Sequence, residues 1–420
     1  MSALTRQVRR AAGLSRNAKL YLAMTSINGL GSGFFMLFFN LFILARGNDE
    51  AFLGLLMSLN SLAALILGLP MGLLSDRLGR KRAMLLGMFI VVAAGAVLLL
   101  SPVDWPLAVA EVFLGAGNAL FMATGPAFMA ENATGEERAT LFSLQSGLMM
   151  LVAFASSAVG GVAPALFAGM LAVPPESATA YRVTLLMAMG LMAGSIIPLL
   201  MVRERQRGGK AGADGAGLSL RSLPMRRDIL RLLAPQLIIG LGAGLLIPYL
   251  NVFFKQRFGI ADSFLGITFA VSQLLMGLAT LFAPLLAERW GKVRTVVFTE
   301  LASLPFLMAL GFAPLLPVAV VAFWLRGMLM NMGGPLYTAF AMEQAQEKER
   351  GAVGAMLGLA WSVGQGVGPG ISGLVQRSVG FTPLFLTTGG TYLAASLLLL
   401  AFFGRIRQRQ TPEQESLPAA

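Results

Sequence analysis

Three charged residues stand inside long apolar stretches, and their positions make them candidates for chemistry: Arg326, Glu111 and Glu300. A charge at the centre of a bilayer costs roughly 3 kcal/mol or more, so such residues usually bind, transfer an ion or form a specific pair. The chain has no histidine and no cysteine. Proton transfer would therefore use a carboxyl group. We expect no metal site and no cofactor, and no phosphate-binding Walker loop is present.

Each of the three charges has a functional and a structural interpretation. Arg326 lies roughly 14 Å deep, at about 1.5 Å per helical residue. It either binds an anionic group or tunes a proton-carrying carboxyl group, or else it is half of a buried structural pair. Glu111 is a candidate proton carrier or structural residue. For Glu300 we favour a structural role, either as the partner of Arg326 or as a tether for its own helix.

Neutral polar residues at middle depth extend the candidate substrate site. Asn118 follows Glu111 by seven residues, which places both on one helix face. Singly, such residues more often form hydrogen bonds between helices. With Arg326 and Glu111, the predicted set of substrate or proton residues consists of Asn118, Asn331, Gln365, Trp361, Asn28, Asn40 and Asn251.

The elements that must position these residues are membrane spans. Apolar residues make up 56% of the chain and charged residues 12%, whereas a soluble domain carries about 25% charged residues. A span needs about 20 apolar residues. The apolar runs predict twelve helices, at residues 20–45, 51–74, 83–101, 106–130, 139–168, 181–202, 229–254, 263–287, 294–314, 317–341, 351–375 and 381–404.

The distribution of basic residues predicts the orientation of these spans. If the N-terminal tail is inside and the spans alternate, cytoplasmic segments hold 26 of the 32 Lys and Arg residues and outer loops hold five. This asymmetry predicts a multi-pass inner-membrane protein with both termini in the cytoplasm. The net charge of +12 then lies beside anionic lipid headgroups, and we expect no nucleic-acid partner.

A polar stretch between the second and third spans, residues 72–82, contains five charges and two glycines. We interpret it as a tight hairpin outside the hydrocarbon. A second copy follows 212 residues later, where Glu288 replaces Asp76 and Gly291 replaces Gly79. Further matches at spacings of 211 and 212 include Asn40 with Asn251. The chain is therefore predicted to consist of two similar halves.

Residues 72–82 resemble the loop signature G-x-L-x-D-R-x-G-R-K of the major facilitator superfamily. The resemblance implies an all-α membrane protein with twelve transmembrane helices in two pseudo-symmetric six-helix halves. The expected divisions are residues 1–202, a flexible cytoplasmic linker at 203–227, and 228–420 with a short polar tail. In the resembled fold the first, fourth, seventh and tenth helices line a central cavity, which would receive Glu111 and Arg326.

The resemblance also implies a conformational latch, in which the loop contacts neighbouring helix ends in one state and releases them in the other. The alternative is that these charges only hold the loop inside. The predicted latch residues are Gly72, Asp76, Arg77, Gly79, Arg80, Glu131, Glu288, Arg289, Gly291 and Glu343.

Glycine and proline positions in the fifth and eleventh spans resemble diluted forms of a drug/proton antiporter motif, G-x-x-x-G-P-x-x-G-G. The eleventh span matches better, although the family motif lies in the fifth, and Glu111 occupies a place where these antiporters carry an arginine. We favour a helix-packing role. The residues concerned are Gly160, Gly161, Pro164, Gly368 and Pro369.

These observations predict a secondary active transporter that moves a small solute by alternating access and is not an enzyme. The leading hypothesis is proton-coupled efflux of an amphipathic or drug-like compound. The alternative within transport is uptake or exchange of a small organic anion or metabolite, which Arg326 would neutralise. An alternative of another class is a non-transporting sensor or lipid-handling protein. Expected partners are a small-molecule substrate, protons and membrane lipid, with a monomeric chain.

Overall fold

The computed structural model describes residues 14–132, 135–203, 226–346 and 349–404. In those ranges the chain forms helices and no strand. We number the membrane-length segments α1 to α12, three of which are interrupted. They are α1 (Arg16–Ala45), α2 (Glu50–Leu78), α3 (Arg80–Leu100), α4 (Trp105–Asn132), α5 (Gly135–Gly160 and Ala163–Leu171), α6 (Ala178–Gly194 and Ile196–Met201), α7 (Arg227–Leu246, a 3₁₀ turn at Ile247–Tyr249, and Leu250–Phe258), α8 (Asp262–Trp290), α9 (Lys292–Phe312), α10 (Leu316–Gln344), α11 (Arg350–Val379) and α12 (Thr382–Phe403).

Each predicted span overlaps one of these segments, which confirms the all-α membrane fold. Eleven segments of the described chain are long and apolar enough to cross a bilayer. The segment outside this group, α11, is 30 residues long and rich in glycine. Its glycines pack against other helices: Gly364 contacts the backbone of α7 at Gly240, and Gly368 does so at Gly244. Small residues permit this approach. The predicted linker lies mostly outside the described residues.

The polar stretch at residues 72–82 is more helical than predicted. Helix α2 continues to Leu78 and α3 begins at Arg80, so Gly79 alone joins them. Its φ of 87° lies in a region that L side chains rarely adopt. The second copy has the same geometry, since Gly291 has a φ of 84° between α8 and α9. The predicted helix bounds of 51–74 and 83–101 were therefore too short, because a single glycine at positive φ is enough to reverse the chain.

Helices α1–α6 and α7–α12 meet near the end of the bundle opposite the described termini, which we call the distal end. There α2 crosses α11, with Gly54 against Gly373 and the Gly370 amide donating to Ser58 Oγ at 2.8 Å. The pseudo-equivalent pair is α8 with α5, where Gly266 lies against Gly161. We call these two crossings the distal seal. Both use glycines because the backbones come into direct contact.

Towards the end that carries the described termini, the terminal end, the same helices separate. A Cβ atom added at Gly68 of α2 or at Gly358 of α11 would meet no heavy atom within 4 Å. On α8, Leu281 is 72% exposed. The buried apolar side chains follow this division: the largest cluster joins both sets of helices distally, and two smaller clusters lie one in each set near the terminal end. The interior is therefore closed distally and open at the terminal end.

Candidate functional site

Two adjoining cavities occupy the space between the helices. The N-cavity, bounded mainly by α1, α2, α4 and α7, has a volume of about 530 Å³. The C-cavity, bounded mainly by α7, α8, α10 and α11, has a volume of about 800 Å³. They share four lining residues, namely Met36, Ile247, Phe269 and Gln365. Ligand pockets for small organic molecules typically measure about 300–1,000 Å³, so either cavity can hold such a compound.

Glu111 lies on the wall of the N-cavity and is 4% exposed. Asn60 of α2 donates from Nδ2 to Glu111 Oε2 at 2.8 Å. Gly115, one turn further along α4, lies directly against the backbone carbonyl of Asn60. The glycine therefore brings α4 onto α2 and sets the carboxyl group against the amide. Among the residues that line the N-cavity, Glu111 is the single ionisable side chain.

Arg326 lies on the wall of the C-cavity and is 5% exposed. Its Nη2 donates to the hydroxyl of Tyr392 at 3.0 Å, and the guanidinium carbon lies 5.7 Å from the centre of the same ring. Its Nε is buried without a hydrogen-bond partner. Over the described residues, no carboxylate oxygen lies within 4 Å of its nitrogens. The guanidinium is thus held by a neutral group.

Glu300 also borders the C-cavity, but it contacts α12 and forms no ion pair with Arg326. Ser396 donates to Glu300 Oε2 at 2.6 Å. Tyr392 and Ser396 are four residues apart, so one face of α12 holds both charged groups on successive turns. The structure therefore shows the tether within α7–α12 and not the Arg326 pair. Similar depth alone does not bring two side chains together.

The predicted amide and aromatic residues occupy three different places. Asn118 borders the N-cavity, and it faces Asn28 across a smaller void. Gln365 borders both cavities, whereas Trp361 and Asn331 border the C-cavity. Asn331 Nδ2 also donates to the Gly327 carbonyl at 3.0 Å.

Asn40 and Asn251 link α1 to α7 beside the distal seal. Asn40 Nδ2 donates to Asn251 Oδ1 at 3.0 Å, and Asn251 Nδ2 donates to the Leu37 carbonyl at 2.8 Å. Their amides are thereby engaged with each other and with the backbone. The structure brings them to the edge of the N-cavity as a cross-link between the halves, rather than as free groups facing a substrate.

A polar cluster at the distal end lies outside the predicted site residues. Tyr181 donates to Asp262 Oδ1 at 3.1 Å, and Lys255 Nζ lies 2.8 Å from the same carboxylate and 2.6 Å from Glu176. Tyr181 and Glu176 belong to the first half of the chain, and Asp262 and Lys255 to the second. The internal repeat pointed to Asp262, which lies 212 residues after Glu50. Glu50 also makes a contact between the halves, since it accepts a hydrogen bond from Gln256 at 2.8 Å. No sequence pattern marked Tyr392 as the partner of Arg326.

The predicted latch residues lie at the terminal end, where the two sets of helices are apart. Arg80 lies 2.7 Å from Asp76 and 3.0 Å from Glu131. In the second copy Lys292 pairs with Glu343. Gly72 has open space beside it. Arg77, Glu288 and Arg289 are exposed. These pairs each lie within one half in this conformation.

The predicted packing residues lie at helix contacts. Gly161 meets α8 in the distal seal, and Gly160 lies beside Phe34 and Phe38. Pro164 stands in the first turn of the second piece of α5. The remaining two lie on α11, where Gly368 contacts α7 and the Pro369 carbonyl accepts a bond from Tyr249 at 2.8 Å.

Several known proteins resemble this chain. The solved nucleoside transporter NupG has 14% identity and a TM-score of 0.77, covering 94% of this chain and 100% of its own. A bacterial homolog of the human lysosomal transporter Spinster, inward-facing and unoccupied, has 16% identity and a TM-score of 0.73, covering 92% and 95%. A D-xylose-proton symporter has 15% identity and a TM-score of 0.71, covering 91% and 97%. At these identities the likeness shows the fold.

A curated relative matches over a shorter stretch. The multi-drug resistance efflux pump PmrA homolog of Lactococcus lactis subsp. lactis (strain IL1403) is 25% identical over 173 residues, which are 39% of this chain and 41% of the relative. The chain thus spans about two-fifths of that relative's length. The profile of the Major Facilitator Superfamily matches twice, at residues 21–236 and 232–419. Because these two matches cover nearly the whole of a twelve-helix membrane chain, the protein belongs to the major facilitator superfamily of secondary transporters.

Proposed function

We propose that this transporter exports a small amphipathic compound in exchange for protons. The observation that carries the proposal is Glu111, a carboxyl group on the wall of an otherwise uncharged cavity, held by the neutral amide of Asn60. A carboxyl group can take up and release a proton as its surroundings change. The N-cavity is otherwise lined by apolar, amide and serine side chains, which suit an amphipathic solute. The name of the partial relative, an efflux pump, supports the direction.

The proposed orientation places the terminal end in the cytoplasm. The Lys and Arg asymmetry of the loops supports it. The described conformation is then open to the cytoplasm and closed to the outside by the distal seal, the Asn40–Asn251 cross-link and the Tyr181–Asp262–Lys255 cluster. Export requires these contacts to break as the terminal ends close. Asp76 and its loop would stabilise the closed terminal end.

The orientation predicts the behaviour of reporter fusions. A reporter that is active only in the cytoplasm is expected to work when it is fused after the C-terminus. The same reporter inserted at Asp104, between α3 and α4, should be silent because that loop lies at the distal end. Immunodetection of both fusion proteins controls for expression. Signals in the opposite pattern would reverse the orientation and, with it, the direction assigned to the transport cycle.

Reconstitution in liposomes tests the function itself. Purified protein in vesicles that contain a pH-sensitive dye is expected to move protons when a lipophilic dye cation or a fluorescent amphipathic acid is added. The solute is expected to accumulate on the more acidic side. Protons leave that side through the protein, and their movement drives the solute in the opposite direction. Vesicles without protein control for passive leak. Solute movement that ignores the pH gradient would contradict proton coupling, and no movement for any amphipath would favour the sensor or lipid-handling alternative.

Arg326 favours the alternative of organic-anion exchange. A fixed positive charge in the C-cavity would attract an anionic solute. In the same vesicles, that function predicts homoexchange of an organic anion with no proton movement. The two functions therefore give different readings of the internal dye.

A further inference from the structure

The C-cavity contains a buried cation whose hydrogen-bonding capacity is mostly unused. A guanidinium group has five N–H donors. Among the described residues, Arg326 makes one hydrogen bond, to Tyr392, and its enclosed Nε makes none. Buried charges in proteins are normally paired or fully hydrogen-bonded, because burial without a partner is unfavourable. Within the described part of the chain, the C-cavity therefore contains a positive charge without an ion-pair partner and N–H donors without acceptors.

The surrounding contacts hold the guanidinium in position. The Tyr392 hydroxyl accepts one N–H, and the ring lies beside the guanidinium plane. Glu300, which borders the same cavity, accepts a hydrogen bond from Ser396 on the next turn of α12. Arg326 therefore does not form an ion pair with Glu300. Its guanidinium group is already held at Nη2 by the bond to Tyr392. A preorganised cation of this kind loses little freedom when it binds an anion.

The walls beside Arg326 are apolar and aromatic. Phe269, Phe323 and Trp361 border the C-cavity together with Met276 and Met330. Aromatic and methionine side chains pack well against flat or irregular apolar bodies. The C-cavity continues into the N-cavity through shared lining residues, so a ligand can extend from Arg326 towards Glu111.

We infer that the C-cavity is an anion subsite, in which Arg326 binds the carboxylate of an amphipathic substrate whose apolar body lies against the aromatic wall. This inference rests on the proposed transport of amphipathic compounds and specifies their charge. Carboxylate geometry matches two N–H groups of a guanidinium fork. The phosphate of a single-chain lipid offers the same negative charge, so the experiment separates these two sources.

Binding to purified protein tests the subsite without any transport. The probes are naphthalene carboxylate and its carboxamide, which have similar shapes and differ in charge. The carboxylate is expected to bind at least about tenfold more tightly, because it forms charge-assisted hydrogen bonds. Arg326→Gln should remove that preference. Arg46→Gln, which deletes a distal arginine paired with Asp104, is the matched control and should keep it.

A second variant and a second ligand test the subsite if Arg326→Gln fails to fold. Arg326→Lys retains the charge but lacks the fork, and it should bind the carboxylate about tenfold more weakly than the original protein. Equal affinity of the original protein for carboxylate and carboxamide would overturn the subsite, as would an undiminished preference in folded Arg326→Gln. Arg326-dependent binding of a lysophosphatidylglycerol, with no binding of the naphthalene carboxylate, would overturn the carboxylate assignment. Failure here with intact proton-coupled transport would leave the proposed function standing.

Discussion

Gly266→Leu is expected to open the distal seal and move the protein out of the described conformation. A Cβ atom at Gly266 would lie 2.5 Å from the Gly161 Cα atom and 2.5 Å from the Ser157 carbonyl oxygen. Both neighbours are backbone atoms of α5, so they cannot turn aside. Overpacking typically costs about 1–3 kcal/mol, and this cost applies only while α8 and α5 are in contact. The outward-open population should therefore rise about tenfold or more.

Cysteine labelling measures this shift in a chain that has no cysteine of its own. A reporter introduced as Ser61→Cys lines the N-cavity and is shielded from the distal side by the seal. Its reaction with an impermeant maleimide added on the distal side should accelerate in Gly266→Leu. Gly169→Leu, at a glycine of α5 with no heavy atom nearby, is the matched control and should leave the rate unchanged. An unchanged rate in folded Gly266→Leu would mean that the seal does not restrict access.

Asp76→Asn should slow the labelling of the same reporter cysteine from the distal side. The latch is proposed to stabilise the state with a closed terminal end, so weakening it should slow labelling from the distal side. The Asp76–Arg80 pair of the described conformation is also lost, but Asp76 is largely exposed and such pairs contribute about 0–1 kcal/mol. Faster labelling would show that this exposed pair outweighs the latch.

The sequence predicted the fold because apolar runs and the 212-residue repeat are properties of the chain itself. Membrane-length runs give helices without reference to neighbours. The repeat also relates Gly54 to Gly266, and the structure shows both in the distal seal. Glu111 and Arg326 could be singled out because an intramembrane charge is costly wherever it lies. None of these properties depends on how the helices are rotated against each other.

The partners of those charges could not be predicted, because they depend on the rotation of each helix about its axis. Depth placed Glu300 near Arg326, yet Ser396 and Tyr392 of α12 hold the two groups separately. The middle depth of Asn40 and Asn251 predicts substrate residues, but their facing positions join the halves. The depth of a residue does not give the direction of its side chain around the helix axis. Small differences in that direction decide which side chains meet.

Glu111→Gln is expected to abolish the response of transport to a pH gradient while solute exchange continues. The glutamine side chain has nearly the same shape and can still bond to Asn60, but it cannot gain or lose a proton. A difference of one pH unit corresponds to about 1.36 kcal/mol per proton, which supports roughly tenfold accumulation in a one-proton exchange. In the variant the solute ratio across the membrane should fall to about one, measured in the liposomes described above.

Glu300→Gln provides the matched control, since it removes another deeply buried acid in the same way. Glu300 borders the C-cavity and is held by Ser396, so its replacement should preserve the pH response. Because Glu111 is the single ionisable residue lining the N-cavity, no neighbour there can substitute for it. A Glu111→Gln protein that still accumulates solute about tenfold per pH unit would move the proton site out of the N-cavity. Loss of the response in Glu300→Gln alone would place it beside Arg326, where proton release and anion binding would share one site.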